Sequence, residues 1–405
     1  MFPRGAIVCL VVGFWAMSGL SPLWGADFYF SSRLKFQGYY DDNVAFTYYP
    51  EEDFYLVASP SFFSTYKTER FGITSRVGME AYEYLDHTEL NTVNYSCDVN
   101  SGYKWGRRLD FTLHGSAIKD TTLESELRET GIVRFRQDRH RYVISPGLTY
   151  SLNELTRLSL NFSASRTEYE WKYNVDYDEY TVSGTLERNL RNQRDTLLSQ
   201  VYYTKIDSEN SLVHNYGFLL GWQRLLSSTS TLRFLAGMRY TRTEYYLTYL
   251  RLVFVPYWPF LTVVPVRRKE TEHNWGSLLD LSWERTAERS RYRLGVNKTL
   301  VYSSFGQSVD RWRVSASWVY HLTPRWDLSL YLFYAHTSSS GGVYKEKNTY
   351  YSLSPTLRYL LTERWSLELG YKYADFRNRV TDREYDRQQV WVRLILRFGK
   401  PPTFQ

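Results

Sequence analysis

Tyr359–Leu369 reads YLLTERWSLEL, Tyr320–Leu330 reads YHLTPRWDLSL, and Tyr150–Leu160 reads YSLNELTRLSL. Laid over one another, the three place Tyr and three Leu at the same offsets around a polar break. After the break, Trp365, Leu367, Leu369, Tyr371 and Tyr373 alternate with Ser366, Glu368, Gly370, Lys372 and Ala374. A period of two marks a strand with one apolar and one largely polar face. Before the break the same alternation runs through Tyr359 and Leu361, so the break itself is a tight hairpin turn.

Similar breaks occur at 68–70, 106–108, 191–194, 227–230 and 286–288, giving eight tight turns with those at 153–157, 323–325 and 362–364. The connections between them are longer and more variable, as in TTLESELRETG and YLRLVFVPYWPFLTVVPVRR. Eight turns join sixteen strands in pairs. A first strand in FYFSSRLKFQGYY and a last in VWVRLILRF bring the count to eighteen, with sixteen as the alternative because residues 120–140 are ambiguous. Short turns at one rim and longer loops at the other describe an all-β fold, a single antiparallel transmembrane barrel.

Composition agrees. Tyr, Phe and Trp number 37, 22 and 13, or 18% of the chain, yet mean hydropathy is negative. Tyr66, Trp105, Tyr150, Trp283, Tyr320, Trp326, Tyr359 and Trp365 all stand beside a tight turn, as an aromatic girdle requires. A second belt is expected from EAYEYL, TEYEWKY and TRTEYYLTY. Residues 1–26, with Arg4 before an apolar run, read as a secretory signal peptide, and cleavage after Ser18, Gly25 or Ala26 fits. The barrel then occupies 27–405, with a short periplasmic tail at 399–405. One cysteine, Cys97, remains in the mature chain, so no disulfide framework supports it. The expected location is the outer membrane of a Gram-negative bacterium, with lipid, lipopolysaccharide and the barrel assembly machinery as partners and no nucleic acid.

The first strand and loop, LKFQGYYDDNVAFTYYPEEDFYLVASPSF, and the recurring ASPSFFS, ISPGLTY and LSPTLRY resemble the β-barrel porin 2 group of outer-membrane proteins. That resemblance covers the mature chain through short motifs. It implies a barrel and says little about the solute; some members of the group are associated with exopolysaccharide systems. Pro60, Pro146 and Pro355 cannot donate to a ladder, and a bulge or kink is expected at each.

If Leu-type positions face lipid, the alternate set faces the lumen. Parity then gives Arg76, Lys104, Arg141, Arg233, Arg239, Arg293, Arg313, Arg358, Lys372, Arg393 and Arg397 as pore-lining cations. The acids from the same strands are Glu80, Asp98, Asp110, Glu187, Asp280, Glu284 and Glu368. The excess has the sign of the overall charge of +7, and rings of Arg and Lys favour anions. The expected function is porin-like passive diffusion of small, mildly anionic solutes. The alternatives are an outer-membrane component of exopolysaccharide export, with export partners, and a barrel-embedded hydrolase. No Gly-x-Ser-x-Gly elbow or zinc-type His spacing supports an enzyme, and no cofactor is expected. Residues 251–268 are the candidate constriction loop, with Tyr257, Trp258 and Phe260 as its apolar core. Asp41, Asp42, Glu51, Glu52 and Asp53 form a weak candidate cation site beside a plainer reading as a solvated acidic loop.

Overall fold

The structure, a computed structural model, describes residues 27–130, 136–171, 174–254, 261–304, 306–339 and 346–399. Eighteen strands form one antiparallel sheet, each paired with its sequence neighbour, and β1 pairs with β18 to close it. They run β1 Asp27–Asp41, β2 Asp53–Lys67, β3 Phe71–Tyr84, β4 Thr92–Trp105, β5 Leu109–Thr121 and β6 Asp138–Ser151. Then come β7 Thr156–Tyr169, β8 Tyr177–Asn189, β9 Asp195–Ser208, β10 Ser211–Ser227, β11 Ser230–Phe254 and β12 Leu261–Thr286. The circuit ends with β13 Ser290–Tyr302, β14 Ser308–Thr323, β15 Trp326–Ser339, β16 Lys347–Leu360, β17 Trp365–Asn378 and β18 Arg383–Phe398. One α-helix is present among the described residues, α1 (Thr122–Glu129), between β5 and β6. All eight tight turns connect strands where the alternation breaks.

Closure is forced by chemistry. Backbone N–H and C=O groups in hydrocarbon find no water, so every strand must have two neighbours. The outer surface is correspondingly apolar: Leu56, Leu220, Val201 and Leu369 are each more than half exposed. An apolar belt on this scale is incompatible with a water-facing monomer. The aromatic ladder Trp283–Tyr292–Trp318–Tyr320 bounds it near the tight turns. At the other rim runs a band of Tyr203, His214, Tyr216, Tyr240, His273 and Trp275. There the Tyr203 and Tyr240 hydroxyls bond His214 Nδ1 at 2.8 Å and His273 Nδ1 at 2.7 Å. Outward ion pairs, Lys205–Asp207 at 2.9 Å and Arg242–Glu244 at 2.7 Å, follow just beyond it. Such pairs belong at the headgroup level, where charge is tolerated. An even-stranded antiparallel barrel with this belt is an outer-membrane protein.

Two sequence expectations are corrected. First, Tyr82, Tyr84, Tyr169 and Tyr245, drawn from the three motifs expected to form the outer belt, face inward; their parity matches Arg76, Arg141 and Arg239 in the registers. Second, the prolines cause no bulge. Pairing of β2 with β3 skips from Ala58↔Ala81 to Ser61↔Gly78 without a register change, and the ladders at Pro146 and Pro355 do the same. Each ring points to lipid and removes one donor on one side, so the ladder gaps locally while the register is kept. The register shifts fall instead beside the turns, at Leu225/Ser227 and His321/Thr323.

One seam departs from uniform closure. β12 pairs with β13 only from Leu279↔Lys298 to Thr286↔Arg291. Beyond that, β11 and β12 continue as a two-stranded hairpin to Phe254↔Leu261. The outer end of β13 leans into the lumen, where the Tyr302 hydroxyl bonds Ser208 and Ser211 at 2.7 Å each. Arg239, on the lumenal face of β11, crosses β12 and pairs with Asp310. Gly276 permits that crossing: a Cβ there would lie 2.6 Å from Arg239 Nε. β18 stops at Gly399, whose φ of +79° turns the chain away.

The two faces make opposite demands on substitution. Leu330, midway between Trp326 and Tyr334 on the lipid face, should lose about 2–4 kcal/mol on change to Arg. The neighbouring lumenal Ser329→Arg should cost less than about 1 kcal/mol. Urea unfolding from liposomes measures both, and equal losses would contradict the assigned parity.

Candidate functional site: a lumen crossed by an inward-folded helix

The segment between β5 and β6 does not stay outside. Its base is closed by Thr122 N–H donating to the Gln137 carbonyl at 2.9 Å. Leu123 and Leu127, four apart, share one helix face. They pack on Phe333, Ala335, Tyr350, Ala374 and Phe376 of the opposite wall and on Phe46 from the 42–52 loop. Glu126 and Glu129, three apart, lie on another face of the helix. Glu129 meets Arg139 at 2.6 Å and Arg141 at 3.2 Å, and its carbonyl accepts from Arg311. Glu126, only 2% exposed, accepts from the Tyr169 hydroxyl at 2.5 Å and the Ser304 hydroxyl at 2.8 Å. Apolar contacts on one side and charged contacts on the other therefore hold α1 across the lumen.

The two glutamates titrate differently. Burial pushes Glu126 up to about 7, against partial offset by its two hydroxyl donors. Burial also acts to raise Glu129, but the guanidinium groups of Arg139 and Arg141 outweigh it and hold the carboxyl below its ordinary value.

Two cavities flank the helix. One, of about 400 Å³, is lined by Tyr39, Tyr55, Tyr84, Trp391, Arg387 and Arg393 among others. Its wall is a run of touching rings: Tyr39–Tyr55 at 4.8 Å, Tyr55–Tyr84 at 4.6 Å and Tyr39–Trp391 at 5.9 Å. The other, of about 490 Å³, is lined by Glu129, Arg141, Glu179, Tyr302, Arg311 and Arg313 among others.

The sequence-derived cations occupy the lumenal face by register, but in different states. Glu368 joins Arg358 at 2.6 Å to Arg393 at 2.9 Å. Arg141 is bound to Glu129, Arg239 to Asp310, and Arg293 reaches Glu284 at 3.6 Å. Arg313 stacks on Phe333, 5.4 Å from the ring centroid. Lys372 lines the first cavity. Lys104 stands opposite Asp110 and Arg233 opposite Ser282, both near the tight turns. Arg76 and Arg397 have no carboxylate within 4 Å among the described residues.

The five acidic residues are taken up by separate partners, although Asp41 stands opposite Asp53 and His87 is shared by Asp53 and Glu51. Asp41 takes Arg387 and Gln389, Asp53 takes His87, Glu52 accepts from Tyr40 and Asp42 from the Gln388 N–H. Glu51 reaches His87 at 3.3 Å. Among the described residues no three His, Cys, Asp or Glu side chains form a metal-holding group. Tyr257, Trp258 and Phe260 lie outside the described residues. Their described flanks pair as a β11–β12 hairpin, with Leu252 and Phe254 well exposed; the helix that crosses the lumen is 122–129. Parity reasoning also passed over Arg33, Lys35, Arg139 and Arg311. The first two were open to it, because Leu34 and Phe36 beside them face lipid.

No family model matches the chain, and no curated protein matches it. It is similar in fold to solved outer-membrane proteins. Pseudomonas aeruginosa OccK2 (OpdF) in complex with glucuronate shares 9% identity, with a TM-score of 0.46, over 92% of this chain and 98% of that one. Pseudomonas aeruginosa OpdK with vanillate gives 9%, 0.45, 92% and 99%. Acinetobacter baumannii OccAB2 gives 14%, 0.43, 92% and 98%. The assignment of this chain rests on its own wall and lumen.

Glu126 makes the helix contact pH-dependent. Its docked value exceeds the ordinary 4.5, so docking is strongest below pH 4.5 and weakens as pH rises toward 7. Tyr169, Ser304, Glu129 and Arg139 face it, and none supplies a direct cationic partner. Hydrogen exchange of α1 amides, corrected for intrinsic rate, should lose protection by about tenfold or more between pH 5 and 8. Glu126→Gln should flatten that profile; an unchanged profile in the variant would contradict it.

Proposed function

We propose that the protein is a passive diffusion channel for small, mildly anionic solutes, throttled by α1. The observation that carries this reading is the lumen itself, a closed barrel whose bore is divided by an inward-folded helix into cavities of about 400 and 490 Å³ with cationic walls. Spaces of that size suit a small solute. Arg76, Lys35, Arg33 and Arg397, on β3, β1 and β18, have no carboxylate partner among the described residues, and Arg76 and Lys35 line a further cavity of about 190 Å³. Uncompensated lumenal cations concentrate anions and repel cations, which sets selectivity without tight binding. The resemblance to the β-barrel porin 2 group belongs to the same reading.

Among the described residues two histidines pair with carboxylates, His87 with Asp53 at 3.2 Å and Glu51 at 3.3 Å, and His321 with Asp327 at 2.6 Å. Neither His is bonded to a serine or cysteine among the described residues, so nucleophilic chemistry has no assembled site there.

Reversal potential in a planar bilayer under a salt gradient tests the proposal. The wild-type channel should be anion-biased. Arg76→Glu with Arg397→Glu should move the reversal potential toward, or past, zero bias. A cation-selective wild type would overturn the proposal.

A further inference from the structure

Arg33 and Arg397 are directly opposite one another across the β1–β18 closure. Like charges so placed destabilise a strand pair. This one is not offset: no carboxylate lies within 4 Å of either guanidinium among the described residues, and the Nε atoms of both are buried without an acceptor. A third cation joins them. Arg33 and Arg76 each sit over the Phe63 ring, 5.3 Å from its centroid. Phe63 thus aims two guanidinium groups from β1 and β3 while leaving their N–H edges unspent. Arg397, Arg76 and Arg358 are the cations whose fields act on Arg33, and Glu368 is the acid among its leading influences. Glu368 is already committed to Arg358 and Arg393. Asp98 stands across from Arg76 in the ladder but forms no ion pair with it among the described residues.

Other lumenal arginines hold an acid, as Arg387 does with Asp41 and Arg139 with Asp120 and Glu129. We propose that Arg33, Arg76 and Arg397 form a binding site for a doubly charged oxyanion group, of the phosphoryl or sulfate type, near the tight-turn end of the lumen. A monovalent ion would leave most of the repulsion in place. A tetrahedral dianion offers acceptor oxygens to all three forks, and Arg geometry suits bidentate contacts to it. This deepens the channel reading, because the solute class becomes phosphorylated or sulfated rather than merely anionic.

Calorimetric titration of the detergent-folded barrel with inorganic phosphate at pH 8 tests it, with sulfate and chloride in parallel. Saturable phosphate or sulfate binding is expected at chloride concentrations that do not compete. Arg33→Gln with Arg397→Gln should weaken it about tenfold or more, and Arg76→Gln alone should weaken it too. Arg233→Gln, a lumenal cation on β11, should leave it unchanged. Removing like charges should raise, not lower, the melting temperature of the ligand-free double variant, so loss of binding with a heat-modifiable barrel is interpretable. Absent saturable binding, or equal weakening by Arg233→Gln, overturns the site. A channel that conducts but does not bind phosphate defeats this inference alone; a silent barrel that binds phosphate defeats only the channel reading.

Discussion

Everything in this molecule depends on the demand that backbone hydrogen bonds be met without water. In hydrocarbon an unpaired amide costs several kcal/mol, so the β1–β18 pairing is as necessary as any hairpin. Once the sheet closes, the strand period of two divides every side chain between lipid and lumen. The usual order of a folded chain is then inverted. Leu, Val and Phe are exposed on the outside, and the buried set includes Arg139, Arg239, Glu126 and Glu368. Charge inside such a barrel is held by partners, and the few cations without one become chemically informative.

The lumen is shaped less by the wall than by what folds into it. α1 reaches the far wall through Leu123 and Leu127 and is anchored behind by Glu126 and Glu129. The 42–52 loop contributes Val44 and Phe46, both buried. The outer end of β13 leans in to Ser208 and Ser211, and beyond the β12–β13 ladder β11 and β12 continue as a two-stranded hairpin. Three inward movements from different loops leave a divided bore in a barrel wide enough, at eighteen strands, to be open.

The wall was legible in the sequence because a period of two is a strong local signal repeated eighteen times. The Tyr359–Leu369 stretch already contained the turn, the girdle and the lipid face. Parity also located Arg358, Arg393 and Arg397, since Leu neighbours fixed which way each strand faced. The contents of the lumen were less legible. TLESELRE carries a helical spacing in Leu123 and Leu127, yet eight residues are too few to declare a helix without the wall they pack against. Aromatic and apolar residues in 251–268 suggested a constriction loop, and its core residues Tyr257, Trp258 and Phe260 lie outside the described residues. Tyr82 and Tyr84 looked like a membrane belt because aromatics near a loop carry no sign of direction; only register shows that they face inward. The prolines suggested bulges for a related reason, since a closed ladder can lose one donor without changing register.

If α1 throttles an open pore, removing it must enlarge the conductance. Single-channel recording compares the wild type with a variant in which 122–137 is replaced by a short Gly-Ser turn. Discrete small openings are expected in the wild type and steps several-fold larger in the variant. Steps of equal size, or silence in both, would contradict it.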